Sequence, residues 1–89
     1  MSEPFRTACF VDIPTQGLSA EAANSECRRR ISLFVAEVLR RYGSQGVAYV
    51  ATIPLDKAGS AQVVFDLPLE RSVEIMHALT PIWDRFSGY

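Results

Sequence analysis

Histidine and cysteine are scarce in this chain: it has one histidine, His77, and two cysteines, Cys9 and Cys27. The cysteines do not form a CxxC pair, and no second cysteine–histidine cluster is present to complete a zinc site. Free cysteine is commonly buried, so both are expected to be reduced thiols inside the fold. A disulfide would require the two to face each other across the core. We expect no metal and no cofactor.

Targeting and membrane signals are also missing. No apolar run reaches the roughly 18 residues that a membrane-spanning helix needs. The N-terminal segment MSEPFRTACF has no basic region followed by an apolar core, so we expect no secretory signal, no membrane partner and a cytoplasmic location. Hydrophobic residues make up 48% of the chain, which is ordinary for a folded protein, and 89 residues fit a single domain, 1–89.

A strong charge of either sign is absent as well. The formal net charge is -1, which gives no long-range attraction to nucleic acid, although it does not forbid such a partner. The segment PLDKAGS has one lysine and one glycine but lacks the GxxxxGK[ST] spacing of a phosphate-binding loop. It is predicted to be a hairpin loop.

The longest regular pattern runs from Ser19 to Gly43 and predicts one amphipathic helix of roughly 23 residues. Ser19 is a favourable N-cap, and Gly43 is predicted to end the helix in the left-handed conformation. The apolar side chains recur at steps of three and four, which places them on one buried face: Cys27, Ile31, Phe34, Val35, Val38 and Tyr42.

Three segments rich in β-branched and aromatic residues predict strands, each followed by a proline: Thr7 to Ile13, Val47 to Ile53 and Ala61 to Leu67. A second helix is predicted from Leu69 to about Phe86, with a kink or restart near Thr80 because Pro81 removes a backbone hydrogen bond. It carries two apolar rows: Leu69, Val73, Met76 and Trp83, and Ile75, Leu79, Ile82 and Phe86. One row is enough to cover a sheet, so the surplus predicts burial against a partner.

The predicted order of elements is βαββα, which indicates an α+β two-layer sandwich with both helices on one face of the sheet. This is the ferredoxin-like order with a missing or very short fourth strand. In that plan the third strand lies between the other two, and the first strand is an open edge to which another strand can add.

Three groups of polar residues are candidate sites. Asp12 and Asp66 lie near strand ends and would hold a magnesium ion if the two strands brought them together. His77 and Tyr49 are candidate acid–base groups, but no nucleophile or ligand set accompanies them. Arginines on the long helix form either a solvated face interleaved with glutamates or a patch for an acidic protein or nucleic acid: Arg28, Arg29, Arg30, Arg40 and Arg41.

Two resemblances bear on nucleic acid. The segments CFVDIP and GSAQVVF lie where RNA-recognition-motif domains carry their two RNA-binding strand motifs, and Phe10 resembles one stacking aromatic of that family. Ser60 and Gln62 stand where the family has aromatic rings, so the stacking platform is absent. A strand ending in Asp12 and a helix ending in RRYG resemble small CRISPR-associated nucleases and related toxin nucleases, with a longer spacing to the arginines. Each resemblance covers less than half of the chain and transfers no residue role.

These features favour a small non-catalytic protein-interaction module: a homodimer, or a small subunit or inhibitor of a larger complex. Aromatic residues and arginine are frequent interface anchors, and the candidates are Trp83, Phe86, Ile82, Arg40 and Tyr42. The alternative is a small metal-dependent nuclease or nucleic-acid binder of ferredoxin-like fold that uses Asp12, Asp66 and the arginines. The third hypothesis is a dimeric α+β enzyme with a pocket between the sheet and the helices and an acid or base at Tyr49 or His77.

Overall fold

A computed structural model describes residues 3–89 of the chain. Its helices and strands follow one another as β1 (Phe5–Asp12), α1 (Ala20–Tyr42), β2 (Ala48–Pro54), β3 (Ser60–Leu67) and α2 (Ser72–Asp84), with single 3₁₀ turns at Gly43–Gln45 and Leu69–Arg71. The α+β two-layer fold and the βαββα order are thereby confirmed. Within the described range, no helix is long and apolar enough to cross a membrane.

The three strands form an antiparallel sheet in the order β1-β3-β2, so the predicted central position of β3 is confirmed. Side chains alternate between its two faces. Ala61, Val63, Phe65 and Leu67 of β3 are almost completely buried under the helices. Both β1 and β2 are edges of this sheet, and β2 is interrupted by a bulge at Val50, which has no partner on β3.

The long helix α1 forms where the apolar periodicity places it. The Ser19 hydroxyl accepts a hydrogen bond from the Ala22 amide at 3.1 Å and so caps the first turn. The prediction for Gly43 is wrong, because its φ of -58° is right-handed and the chain continues into a 3₁₀ turn. Gly46, at φ +102°, takes the left-handed conformation instead, three residues later.

One hydrophobic core joins both helices to the same face of the sheet. Phe34 of α1 lies at its centre, fully buried, and meets Phe65 of β3 and Trp83 of α2 edge to face at centroid distances of 5.9 and 5.3 Å. Edge-to-face pairs are the arrangement that aromatic quadrupoles prefer. The aromatic cluster therefore fixes how α1, α2 and β3 lie relative to one another.

The second helix differs from its prediction in two respects. It runs through Pro81 to Asp84 without the expected restart at Thr80. Both of its apolar rows also contribute to the core, because α2 packs on β1 and on α1 at the same time. Only the N-terminal part of the first row is left exposed, at Leu69 and Val73.

The hairpin loop between β2 and β3 is tied to the rest of the fold through Gly59, whose φ is +79°. The Gly59 amide donates to Asn24 Oδ1 of α1 at 2.9 Å, and its carbonyl accepts from the Ile13 amide at 3.0 Å. The loop thus holds the start of α1 against the end of β1.

Candidate functional site

Strand β2 is the most exposed regular element of the fold. No residue from Ala48 to Pro54 is buried, whereas most of β3 is. The reason is the lateral position of the helices: α2 lies over β1 and α1 over β3, so that α1 only partly covers β2. Four large apolar side chains on β2 and just after it are each 37–46% exposed: Tyr49, Val50, Ile53 and Leu55.

A groove of about 760 Å³ runs between α1 and β2, on the side of the sheet that faces the helices. Its walls are mainly apolar: Ile31, Val35, Ala36 and Leu39 on α1, and Tyr49, Pro54 and Ala61 on the sheet. Binding sites for small molecules have volumes of about 300–1,000 Å³ and mostly apolar walls. The groove has this size and character, and it is a candidate ligand site.

One end of the groove carries hydrogen-bond donors. Arg28 and Asn24 are one helical turn apart on α1, so their side chains share a face. The Asn24 carbonyl oxygen is occupied by the Gly59 amide, which leaves its NH₂ group free to donate. The other wall hydroxyls at this end are engaged, since Ser32 donates to the Arg28 carbonyl at 3.1 Å and Ser60 to the Lys57 carbonyl at 2.6 Å.

The opposite end of the groove is apolar. It is formed by Val35, Ala36 and Leu39 of α1 and the ring of Tyr49. The Tyr49 and Thr52 hydroxyls hydrogen-bond to each other at 2.7 Å. The groove is therefore amphipathic along its length, with donors near the start of α1 and an apolar trough toward its end.

Arg28 is also the exception among the arginines. Within residues 3–89 every other arginine forms an ion pair inside the fold: Arg6 with Asp66, Arg29 and Arg30 with Glu26, Arg40, Arg41 and Arg85 with Glu37, and Arg71 with Glu74. The arginine-studded face of α1 is thus largely neutralised by its own glutamates. It offers a polyanion little uncompensated positive charge apart from Arg28.

The Glu37 cluster shows how strong this compensation is. Arg40 and Arg41 donate to the Glu37 carboxylate at 2.6–2.9 Å. These hydrogen bonds, first those from Arg40, lower the pKa of Glu37 from 4.5 to about 2. Arg40, one of the predicted partner anchors, is therefore exposed but already engaged within α1.

The aspartates of the proposed metal pair lie at opposite ends of their strands. The register pairs Asp12 with Ser60 and Arg6 with Asp66. Six residues of strand separate the two carboxylates, roughly 20 Å at the usual rise per residue, whereas ligands of one ion lie about 2.0–2.6 Å from it. Arg6 also holds Asp66 through two hydrogen bonds of 2.8 and 3.0 Å and lowers its pKa. Asp12 and Asp66 therefore do not form a joint metal site.

The predicted apolar anchors are placed mostly inside the protein. Ile82 and Trp83 are 2% and 7% exposed and belong to the core, so neither presents a surface to a partner. Phe86 and Tyr42 are half-buried against that core. The assignment of Ile82 and Trp83 to a partner surface is corrected on this ground: α1 covers the row that the sheet does not.

His77 and the cysteines take no part in the groove's polar end. His77 is exposed on α2, and Glu74, three residues before it, pairs with Arg71 instead. Both cysteines are free thiols, with Cys27 buried in the wall of the groove and Cys9 half-buried in β1. Burial raises the pKa of both thiols, so they are protonated at neutral pH.

The face of the sheet away from the helices holds the residues behind the resemblance to RNA-recognition motifs. Phe10 lies opposite Gln62, and Asp12 opposite Ser60. Phe10 is 69% exposed, with Gln62 and Ile53 beside it in the same row. This row contains a single aromatic ring, so bases have no stacking platform of successive rings there.

A pocket between the sheet and the helices, with Tyr49, was part of the third hypothesis, but its position between α1 and β2 and its polar end at Asn24 and Arg28 depend on where α1 lies across the sheet. Its one usable signal was the composition of β2, whose residues AYVATIP include no charge.

The chain was also compared with known proteins, and no family model, curated protein or solved structure matches it.

Proposed function

We propose that this chain is a non-catalytic protein-interaction module of the cytoplasm that acts as a homodimer joined through β2. The observation that carries the proposal is the exposure of edge strand β2: Tyr49 on the helix side of the sheet, Ile53 on the opposite side and Val50 at the bulge are all exposed, and the strand has no charged residue. Natural proteins protect an edge strand with charged side chains, proline or bulges, and β2 has a bulge and Pro54 but no charge. An edge left uncharged and apolar is typical of a surface that another chain covers.

A second copy of the chain is the partner that fits this edge. In a two-fold symmetric dimer the same strand meets itself in antiparallel orientation, so a charged residue near the middle of the strand would lie close to its own like charge. Strand β2 has none, and its self-pairing meets no repulsion. The bulge at Val50 and the missing amide hydrogen of Pro54 restrict regular pairing to the residues between them, so the exposed side chains contribute much of the contact.

The other edge explains why association would stop at a dimer. Strand β1 carries Arg6, paired with Asp66, and Asp12. Charges on an edge discourage the addition of further strands. With one open edge and one protected edge, β2-to-β2 contact closes after two chains and does not propagate into a filament.

The cytoplasmic part of the proposal is supported by the two free thiols, because oxidising compartments favour disulfides. Its non-catalytic part is supported by the separation of the candidate groups, with Tyr49 on β2, His77 on α2 and the two aspartates at opposite strand ends. Acid–base catalysis needs such groups to converge on one reacting atom.

Sedimentation velocity over a range of protein concentrations tests the proposal, with Val50→Lys as the variant. The wild-type chain is expected to sediment as a dimer at high concentration. Lysine at position 50 puts like charges across the two-fold axis, and we expect dimerisation to weaken by at least roughly tenfold.

Val73→Lys is the matched control, because Val73 is also an exposed valine, at 65% exposure, but lies on α2. It is expected to dimerise like the wild type, and circular dichroism should show both variants folded. A wild-type chain that stays monomeric at the highest concentration, or a Val50→Lys chain that dimerises normally, would show that β2 is not the interface.

A further inference from the structure

We infer that the groove between α1 and β2 is a binding site for a small amphipathic carboxylate, such as a medium-chain fatty acid, whose carboxylate meets Arg28 and Asn24 while its alkyl chain lies in the apolar trough. The site does not require self-association through β2, because the groove's walls all come from one chain, although Tyr49 belongs both to the groove and to the proposed dimer surface.

The head group follows from the chemistry of the polar end. The guanidinium of Arg28 can only donate hydrogen bonds, and the free NH₂ of Asn24 also donates. These two hydrogen-bond donors lie side by side, and no acidic side chain within residues 3–89 competes for them. The matching ligand group therefore accepts hydrogen bonds and carries negative charge. A carboxylate matches the planar fork of arginine, and its single charge balances the single guanidinium.

The position of Arg28 strengthens this assignment. Its neighbours Arg29 and Arg30 both turn to Glu26, whereas Arg28 has no ion pair within residues 3–89 and lines the groove. Arg28 is therefore an uncompensated charge beside an apolar groove, in a fold that pairs all its other arginines. It provides the charge complementarity for an anionic ligand.

The tail follows from the shape of the rest of the groove. From Arg28 to Leu39 the helix rises roughly 16 Å, and the walls along this length include Ile31, Val35 and Ala36. These side chains offer no charge and no free donor. An unbranched alkyl chain extending from the carboxylate would cover this wall and remove it from water, which is the main source of affinity for such ligands.

The test is titration of the full-length protein with decanoate, kept below its micelle concentration, and with decan-1-ol, which has the same tail without the charge. Calorimetry gives the affinities, and backbone amide shifts in nitrogen-15 spectra give the location. Decanoate is expected to shift amides of α1 between residues 24 and 39 and of β2, and to bind more tightly than decan-1-ol.

Arg28→Gln removes the charge and is expected to weaken decanoate binding by roughly 10-fold to 100-fold while leaving decan-1-ol unchanged. Arg29→Gln is the matched control, since Arg29 is the next arginine but pairs with Glu26. It should leave both ligands unaffected. Ala36→Glu, at an exposed wall position in the apolar trough, should weaken both ligands.

Three results would overturn the inference: no saturable binding of decanoate, shifts that map outside the groove, or equal losses in Arg28→Gln and Arg29→Gln. Val50 does not line the groove, so decanoate should bind Val50→Lys as it binds the wild type. That measurement separates a failure of the ligand site from a failure of the dimer.

Discussion

Two glycines of this fold have nearly the same positive φ but different surroundings, and this allows backbone strain and steric contact to be measured separately. Gly59 and Gly17 have φ of +79° and +81°. A Cβ atom added at Gly59 would lie 2.6 Å from Thr15 Cγ2 and 3.3 Å from Ile13 Cγ1, whereas nothing lies within 4 Å of one added at Gly17. Gly17→Ala therefore introduces backbone strain alone, and Gly59→Ala adds a clash.

The magnitudes follow from these distances. A left-handed conformation costs an L-residue about 1–2 kcal/mol, and overpacking by one carbon typically costs about 1–3 kcal/mol more. We expect Gly17→Ala to lower the free energy of unfolding by about 1–2 kcal/mol and Gly59→Ala by about 2–5 kcal/mol. Replacing glycine by alanine also reduces the conformational freedom of the unfolded chain. Both variants share this effect, so it cancels in the difference between their free energies of unfolding.

Urea unfolding, monitored by the fluorescence of the buried Trp83, measures the loss in free energy of unfolding for both glycine variants. The comparison requires that the m-value is the same in the variants and the wild type. Thr15→Ser removes the methyl group that the new Cβ would meet, and in the double variant with Gly59→Ala it should restore most of the steric part. Equal losses for the two glycine variants, or no recovery in the double variant, would refute the reasoning.

Two further predictions concern α1. Ile31→Ala should lower the free energy of unfolding by roughly 2–5 kcal/mol, because Ile31 is 4% exposed and its truncation leaves a cavity; a loss within about 0.5 kcal/mol in urea unfolding would contradict this. Glu37→Gln should destabilise the protein at neutral pH and not near pH 2. The folded-state pKa of Glu37 is lowered to about 2, so its contribution is present above its ordinary pKa of 4.5 and is lost as the pH falls toward 2. Thermal unfolding temperatures of both proteins across that range would show whether the difference disappears.

The fold could be predicted because each of its elements carries its own local signal. The stripe from Cys27 to Tyr42 has a period that only a helix satisfies, and the three apolar segments are each bounded by proline. The order βαββα then leaves few arrangements, and the antiparallel sheet with β3 in the centre is among them. The errors at Gly43 and Pro81 are local, since each residue was assigned its most frequent role in isolation.

The apolar anchors show where local signals stop being sufficient. The sequence correctly indicates that α2 has more apolar surface than a sheet can cover, but it does not say what covers the surplus. In the structure α1 does so, with Phe34 against Trp83 at 5.3 Å. A contact between two helices that are distant in sequence depends on their relative position, which no periodicity within either helix encodes.

The same relative position creates the candidate functional surface. Because α2 packs on β1 and on α1, α1 lies mainly over β3 and only partly covers β2, none of whose residues is buried. The packing of α1 against α2 therefore accounts both for the burial of Trp83 and for the open groove beside Tyr49. Without the contact between Phe34 and Trp83, α1 would be free to lie further over β2, which would narrow the groove and cover Tyr49. The proposed interaction surface is in that sense a consequence of the core, because its exposure depends on the packing of the buried residues Phe34 and Trp83.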